Sequence, residues 1–395
     1  MLEDKYLSSN KFSFHCDVVV VGGGLAALSA AISAVDNGAT VLLVNKGISG
    51  KSGSSAKAAG ILAAAFGHGN LETRPVPDTP NKHARDTLAV GYHIGDPVLV
   101  NFVTEQATSA VQWLENLGVE FSRTEDGGYI QLNAPGNSCP RAVSAIGGGQ
   151  AIVSALLSQA KARGVMVLDK TIVRDIKPIE GHKFLVTLQG RQATTITAGA
   201  AVLAAGGATG LFPTVSGDEG NIGTSIMLGY DIGAALKNLE FVEFTLIYRV
   251  KSKILRIAGM APFLSRGGKL TNSLGEDLFE LHFPNKESKK IGRAEVLRLV
   301  EQEIFSNKGP IYLDCTHFSD VTWEEFEGSQ GTTTLDKLTE AGCDYRTEKI
   351  EVIPAAHSVL AGIVIDTNDQ TSRPGVFAEG ENATGIQEPG RFSGN

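Results

Sequence analysis

The chain has 395 residues, more than one hydrophobic core usually supports, so two domains or more are expected. Hydrophobic residues make up 42% and charged residues 20%, an ordinary globular balance, and a net charge of −8 with no basic block speaks against nucleic-acid binding. The four cysteines, Cys16, Cys139, Cys315 and Cys343, are far apart with no CxxC pair, which argues against a metal or iron–sulfur site and for reduced thiols in a cytoplasmic setting.

The first residues, MLEDKYLSSNKFSFH, are polar, without the apolar segment of a signal peptide. CDVVVV (Cys16–Val21) is a continuous β-branched run, as expected for a strand buried on both faces of a parallel sheet. GGGLAALSAAISAVDNG then reads as a glycine turn and an alanine-rich helix stopped at Gly38, and ATVLLV (Ala39–Val44) as a second buried strand. After a small, polar loop, residues Asn81–Leu117 carry helical spacing, and Gly147–Ala162 is a further helix closed by Gly164. Residues 171–207 alternate like a meander and end in a short buried strand (Ala200–Ala205) with a second glycine turn. Gln192–Gly217 carries no charge and is long enough to cross a bilayer, but its glycines, threonines and proline fit a strand and turn better, so no integral membrane segment is expected. Asn238–Lys349 is more charged, with scattered aromatics and a helical stretch at Gly292–Phe305, which suggests an inserted domain. The expected division is 1–237, 238–350 and a returning segment, 351–395. IPAAHSVLAGIVID (353–366) opens that return and holds His357, which taken alone reads as a core histidine.

Gly22, Gly24 and Ala27 occupy the G-x-G-x-x-[GA] positions between two apolar strands. Gly22 permits the tight turn, Gly24 lets the backbone approach a pyrophosphate, and Ala27 lets the helix pack on the strand. The helix N-terminus at Leu25 and Ala26 offers N–H groups and a positive dipole end to the phosphates. The acid usual after the second strand is absent: Asn45 and Lys46 follow Val44. That shifts weight from NAD toward FAD, although Asn45 could also hydrogen-bond a ribose. The second glycine turn, Gly206–Gly207, likewise disfavours an NAD-dependent dehydrogenase.

CDVVVVGGGLAAL, VLAAGGATGLFP, GAALKNLEFVEF, PAAHSVLAGIVID, RPGVFAEGE and GRFSGN occur in order over almost the whole chain. Together they resemble the FAD-dependent flavoprotein family of succinate dehydrogenase, fumarate reductase and L-aspartate oxidase. The resemblance implies an α/β fold, a Rossmann-like FAD domain of glutathione-reductase type with an inserted α+β capping domain. It places Gly22, Gly24 and Lys46 near the FAD diphosphate and ribose, and the loop Ser52–Gly60, with Gly53, Ser54, Ser55 and Gly60, around the pyrophosphate and flavin. Val173 lies near the adenine, Ala205, Gly206 and Gly207 follow the ADP, Glu381 binds the ribityl chain and Asn395 sits near the flavin. Membrane-bound members attach flavin through a histidine in the region of Ser52–Ser55; this chain has none there, so noncovalent FAD is expected. The resemblance also moves His357 from the core to the substrate, where it and Arg391 would hold a carboxylate. Arginine suits that role because its paired donors match a carboxylate.

Three departures bear on substrate. Where the family reads EF-x-QFHPT this chain reads EFVEFTLI, so Thr245 replaces the substrate-binding histidine, and Ile247 a threonine. The proton-shuttling arginine of RGEGG has only Arg266, in SRGGKL, as its candidate, two residues off the family spacing. HSHRR becomes NSCPR. Losing one ionic anchor at a desolvated site costs roughly 2–5 kcal/mol, so a monoanion or a larger, more apolar acid or enoate is expected in place of succinate, fumarate or aspartate. Family members also continue past the position of Asn395 with a flavin-facing helix and a helical region, so either a fragment or a neighbour supplying that helix is expected. The implied activity is hydride transfer between flavin and a carbon of a small anionic organic substrate, with an iron–sulfur or quinone-linked electron partner and membrane association only through that partner. The alternative is a degenerate or partner-dependent flavoprotein that binds FAD and passes electrons without dicarboxylate chemistry of its own.

Overall fold

The computed structural model describes residues 14–67, 77–132, 137–190, 193–257, 260–285, 291–327 and 332–386. The chain divides into two compact units. Unit 1 is Met1–Leu211, Asp218–Glu243 and Ser358–Asn395; unit 2 is Phe212–Gly217 and Phe244–His357.

Unit 1 is built on one seven-stranded sheet. Strand β1 (Phe14–Val21), helix α1 (Leu25–Asp36) and β2 (Val41–Val44) form the expected βαβ unit, with Val18–Val21 of β1 paired in parallel to Val41–Val44. Helix α2 (Gly148–Ala162) leads to β3 (Met166–Leu168), which extends the parallel sheet beyond β2. The meander is β4 (Ile172–Ile179), β5 (Lys183–Gln189) and β6 (Ala193–Leu203). The strand expected at Ala200–Ala205 is therefore longer and starts earlier. Its first half pairs antiparallel with β5, Ile196–Leu203 pairs parallel with β1, and its last three residues pair parallel with β12 (Val376–Ala378). A central strand with two partners on one side and a continuous one on the other needs that length.

The four residues of β2 are buried on both faces, and Ala27, Leu28, Ala31 and Ile32 of α1 pack against the sheet. Asn81–Leu117 resolves into two helices, Pro80–Val90 and Pro97–Asn116. Proline at the first turn of each, with Thr79 and Asp96 as caps, explains the break: the side chains of Thr79 and Asp96 accept from the N–H groups of Lys82 and Val98.

The second sheet runs in the order β8-β7-β11-β10-β9, with β7 (Val242–Val250), β8 (Lys253–Leu255), β9 (Lys269–Thr271), β10 (Ile311–Asp314) and β11 (Ile350–Val359). The longer segment of unit 2 begins within β7, at Phe244, and ends within β11, at His357. The core of unit 2 gathers Tyr248, Phe263, Leu313, Trp323, Phe326 and Leu338, all at most 1% exposed, with helix Arg293–Phe305 laid on it through Leu299 and Val300. No described helix is long and apolar enough to cross a membrane. The four cysteines are buried and unbridged.

Candidate functional site

In unit 1 the turn between β1 and α1 is shaped so that only glycine fits. Gly22 has φ +133°, and a Cβ there would stand 2.2 Å from the Ala204 carbonyl oxygen. A Cβ on Gly23 would meet the Asn45 amide at 2.4 Å, and one on Gly24 the Ser55 hydroxyl at 2.9 Å. Gly24 caps α1 with no side chain, the first turn carries no acid, and the Leu25 N–H donates to Ser55 Oγ at 3.1 Å. Ala26 packs its Cβ against Gly380, where a methyl would come within 2.9 Å. A bare helix start ringed by glycine and serine suits a diphosphate: it offers N–H donors and a positive dipole end, with no carboxylate to repel the anion.

The loop after β2 closes on this turn. Asn45, 8% exposed, donates from Nδ2 to Ser49 Oγ at 3.3 Å and Ser52 Oγ at 3.5 Å, so its carboxamide organises the loop. Lys46 Nζ donates to the Gly220 carbonyl, and burial holds its ammonium below the usual lysine range against the opposing pull of Asp218. Gly53 has φ +88° and starts the short helix Ser54–Lys57. Its N–H donates to Asp218 Oδ2 at 3.3 Å, and Lys57 Nζ reaches the same oxygen at 2.7 Å. Burial pushes the Asp218 carboxyl up, but Lys57 and the Gly220 and Gly53 N–H groups outweigh it, leaving the group below its ordinary value. Ser54 Oγ accepts from Asn221 Nδ2 at 2.9 Å. Gly60, φ +74°, lies so close to the start of α2 that a Cβ would fall 2.6 Å from the Gly148 backbone.

The second glycine turn sits at the end of β6. The Ala205 N–H donates to Ser225 Oγ at 2.9 Å, Gly206 has φ +80°, and a Cβ on Gly207 would stand 2.5 Å from Glu381 Oε1. That oxygen accepts from the Val359 N–H at 3.0 Å and Ser358 Oγ at 3.2 Å, which fixes the carboxylate over Gly207. Val173, 3% exposed, is a core residue of β4 beside a register shift between Val173 and Asp175. Its side chain is thus taken up by packing, and only its backbone is available to a ligand.

In unit 2, His357 is half-buried near the end of β11, and its Nδ1 lies 2.7 Å from Ser216 Oγ. Thr245, 7% exposed, is on β7. Ile247, two residues on, is fully buried with Ile353 and Ala355 in a small apolar cluster. Arg266 donates from Nη1 to the Pro262 carbonyl at 3.0 Å and lays its guanidinium 5.0 Å from the centre of the Phe326 ring. His357 is thus tied to the segment Phe212–Gly217, while Arg266 is held against the unit's core. Arg391 and Asn395 lie outside the described residues.

Three residues absent from the sequence-derived set are drawn into these turns: Ser216, Asp218 and Ser225. The signal for the first two was SGDEGN, where a charge-free stretch of small residues ends abruptly in an acid; Ser225 had none, being one more small residue on an apolar helix.

The family of the FAD binding domain matches residues 17–395. The A subunit of fumarate reductase (CoM/CoB) from Methanothermobacter marburgensis is 29% identical over 391 residues, 97% of this chain and 70% of that protein. L-aspartate oxidase of Streptomyces coelicolor is 30% identical over 402 residues, 96% of this chain and 65% of that protein. Among solved structures, Mycobacterium smegmatis Sdh1 in complex with UQ1 superposes with a TM-score of 0.84 at 27% identity, covering 96% of this chain and 65% of its own. The chain thus spans between 65% and 70% of the length of these relatives.

Proposed function

The chain belongs to the FAD binding domain family and takes FAD as its cofactor, and from that premise we propose an oxidoreductase that moves a hydride between noncovalently held FAD and a carbon of an anionic organic acid. FAD supplies the two-electron chemistry; the chain supplies position and charge. Gly22, Gly24, Leu25 and Ala26 would receive the diphosphate, Lys46 and the loop Gly53–Gly60 would enclose it, and Glu381 would take a ribityl hydroxyl. His357, with Arg391, would grip the substrate carboxylate. Water or Arg266 would handle the proton.

The observation that carries this reading is the state of His357. It is half-buried and its Nδ1 lies 2.7 Å from the Ser216 hydroxyl, which suits a ring held in place for a ligand. The relatives' names supply the reaction class: one belongs to a fumarate reductase and another is an L-aspartate oxidase. The substrate class is narrower. From Phe244 to Tyr248 the strand offers Thr245 and otherwise only apolar or aromatic side chains, with no cation to hold a second carboxylate. That favours a monoanion or a larger apolar enoate. An electron partner of iron–sulfur or quinone-linked type is supported by the fumarate reductase relative, which is one component of an assembly, and by the Sdh1 complex with UQ1.

A second reading, an FAD carrier without dehydrogenation chemistry of its own, is favoured by Arg266, whose guanidinium is engaged by Pro262 and Phe326. One experiment separates the two. Photoreduced protein is mixed anaerobically with fumarate, crotonate and cinnamate, and flavin absorbance is followed. Reoxidation by crotonate or cinnamate faster than by fumarate is expected. If no enoate reoxidises it and no saturated acid reduces the oxidised flavin, the carrier reading replaces ours.

A further inference from the structure

We propose that Ser216 is a positioning residue that fixes the tautomer of His357, holding the ring in its Nε2–H form so that a neutral imidazole donates to the substrate carboxylate. The proposal rests on the reading of His357 as a carboxylate-binding residue, and it concerns two groups of the same unit.

The serine is placed by backbone pairing. Val215 bridges Ala356 in parallel, the Ala356 N–H donates to Thr214 O at 2.9 Å, and the Ser216 N–H donates to Ala356 O at 3.0 Å. Segment 214–216 is thus pinned to β11, which fixes the Ser216 Cα beside His357. Its Oγ lies 2.7 Å from His357 Nδ1 and 3.3 Å from Ala356 O. A hydroxyl has one proton to give. Ala356 O accepts the Ser216 N–H and has a second lone pair for the hydroxyl, but the 3.3 Å contact is long for an O–H donor. The 2.7 Å contact is the length of a good hydrogen bond from a hydroxyl. On these lengths the proposal assigns the hydroxyl proton to Nδ1, which accepts with its lone pair, and the ring's own proton to Nε2.

The opposite arrangement would have different chemistry. With the hydroxyl turned to Ala356 O, Nδ1–H would donate to Oγ, and Nε2 of the neutral ring would present a lone pair, which repels a carboxylate. Ser216 would thus let the ring in its neutral form donate to an anion.

The test uses the full FAD-loaded chain labelled with 15N-histidine. Long-range proton–nitrogen spectra report the tautomer, and the His357 signals are identified among the eight histidines by their loss in His357→Gln. The Nε2–H pattern is expected in the wild type and in Ser216→Thr, and a tautomer mixture in Ser216→Ala. In parallel, the Kd for crotonate, read from the flavin spectrum, should rise about tenfold in Ser216→Ala and return to within about twofold of wild type in Ser216→Thr. An Nδ1–H wild-type ring, or a Ser216→Ala ring with unchanged tautomer, overturns the proposal while leaving the role of His357 intact. Crotonate binding unchanged in His357→Gln overturns the carboxylate reading, and the functional half of the proposal with it, even where the tautomer responds.

Discussion

Gly207 shows how sharply single residues constrain this site. A Cβ there would fall 2.5 Å from Glu381 Oε1, and that carboxylate is already held by the Val359 N–H and Ser358. Gly207→Ala must therefore push Glu381 aside, and we expect FAD affinity to fall tenfold or more, measured by flavin fluorescence during titration of stripped protein. Gly22→Ala should be worse, because φ +133° and the Ala204 carbonyl leave a methyl no space. Glu379 gives a pH signature. Burial, and then the charge of Asp369, push its carboxyl from an ordinary 4.5 up to about 8. The folded chain holds that proton more tightly than the unfolded one, so stability drains away as pH rises from about 4.5 through 8. Glu379→Gln removes the loss. It should raise stability at pH 8 on the order of 1 kcal/mol, the effect being moderated by the side chain's partial exposure, and change little at pH 4, as read from urea melts. A slope with pH identical in both proteins would count against this origin.

Among elements, the βαβ unit was legible because several signals coincide: a β-branched run, glycines at fixed spacing, an alanine-rich helix and a second apolar run. The reach of β6 was not. Its first half, from Ala193 to Ala198, carries polar threonines and reads as edge strand, yet Ile196–Ala198 pair on both sides. Arg141 was harder still. In the sequence it is one letter of a degraded signature; in the fold it is wholly buried, with Nε and Nη2 on Asp78 at 3.0 and 2.9 Å and Nη2 also 2.9 Å from Asp86. The partners lie some sixty residues earlier in the chain, a pairing that no local pattern announces. It fastens the segment around Ser138–Arg141 to helix Pro80–Val90, since Asp86 also accepts from the Ser138 N–H and hydroxyl. Arg141→Ala strands two carboxylates, one almost fully buried, and should destabilise unit 1 by roughly 3–5 kcal/mol in chemical denaturation. A loss below about 1 kcal/mol would mean that water reaches the pair.

On the scale of the whole chain, the residues proposed for FAD lie in one unit and most of those proposed for the substrate in the other, each unit with its own core. The glycine turns, Lys46, Asp218 and Glu381 belong to unit 1; His357, Ser216, Thr245 and Arg266 belong to unit 2. A ligand that binds only one unit's folded form stabilises that unit by mass action, by about 2.7 kcal/mol at a hundredfold excess over Kd. Added FAD should therefore raise the melting of unit 1 in calorimetry. Trp323→Ala, which opens the core of unit 2, should instead lower that unit's transition, with a cost of about 3–5 kcal/mol. If both units shift equally under both perturbations, they melt as one cooperative body. The glycine turns were legible in the sequence, since glycine spacing reports on backbone geometry. The sequence left the substrate half open, because Thr245 replaces a histidine and Arg266 stands two residues off the spacing of the family's arginine.

The most direct test of the central claim is anaerobic titration of the oxidised, FAD-loaded protein with crotonate, comparing wild type with His357→Ala. The expected result is a saturable change in the flavin spectrum for the wild type and a Kd about a hundredfold weaker for the variant, with FAD content unchanged. Equal affinities in the two proteins would contradict the account and return His357 to a packing role.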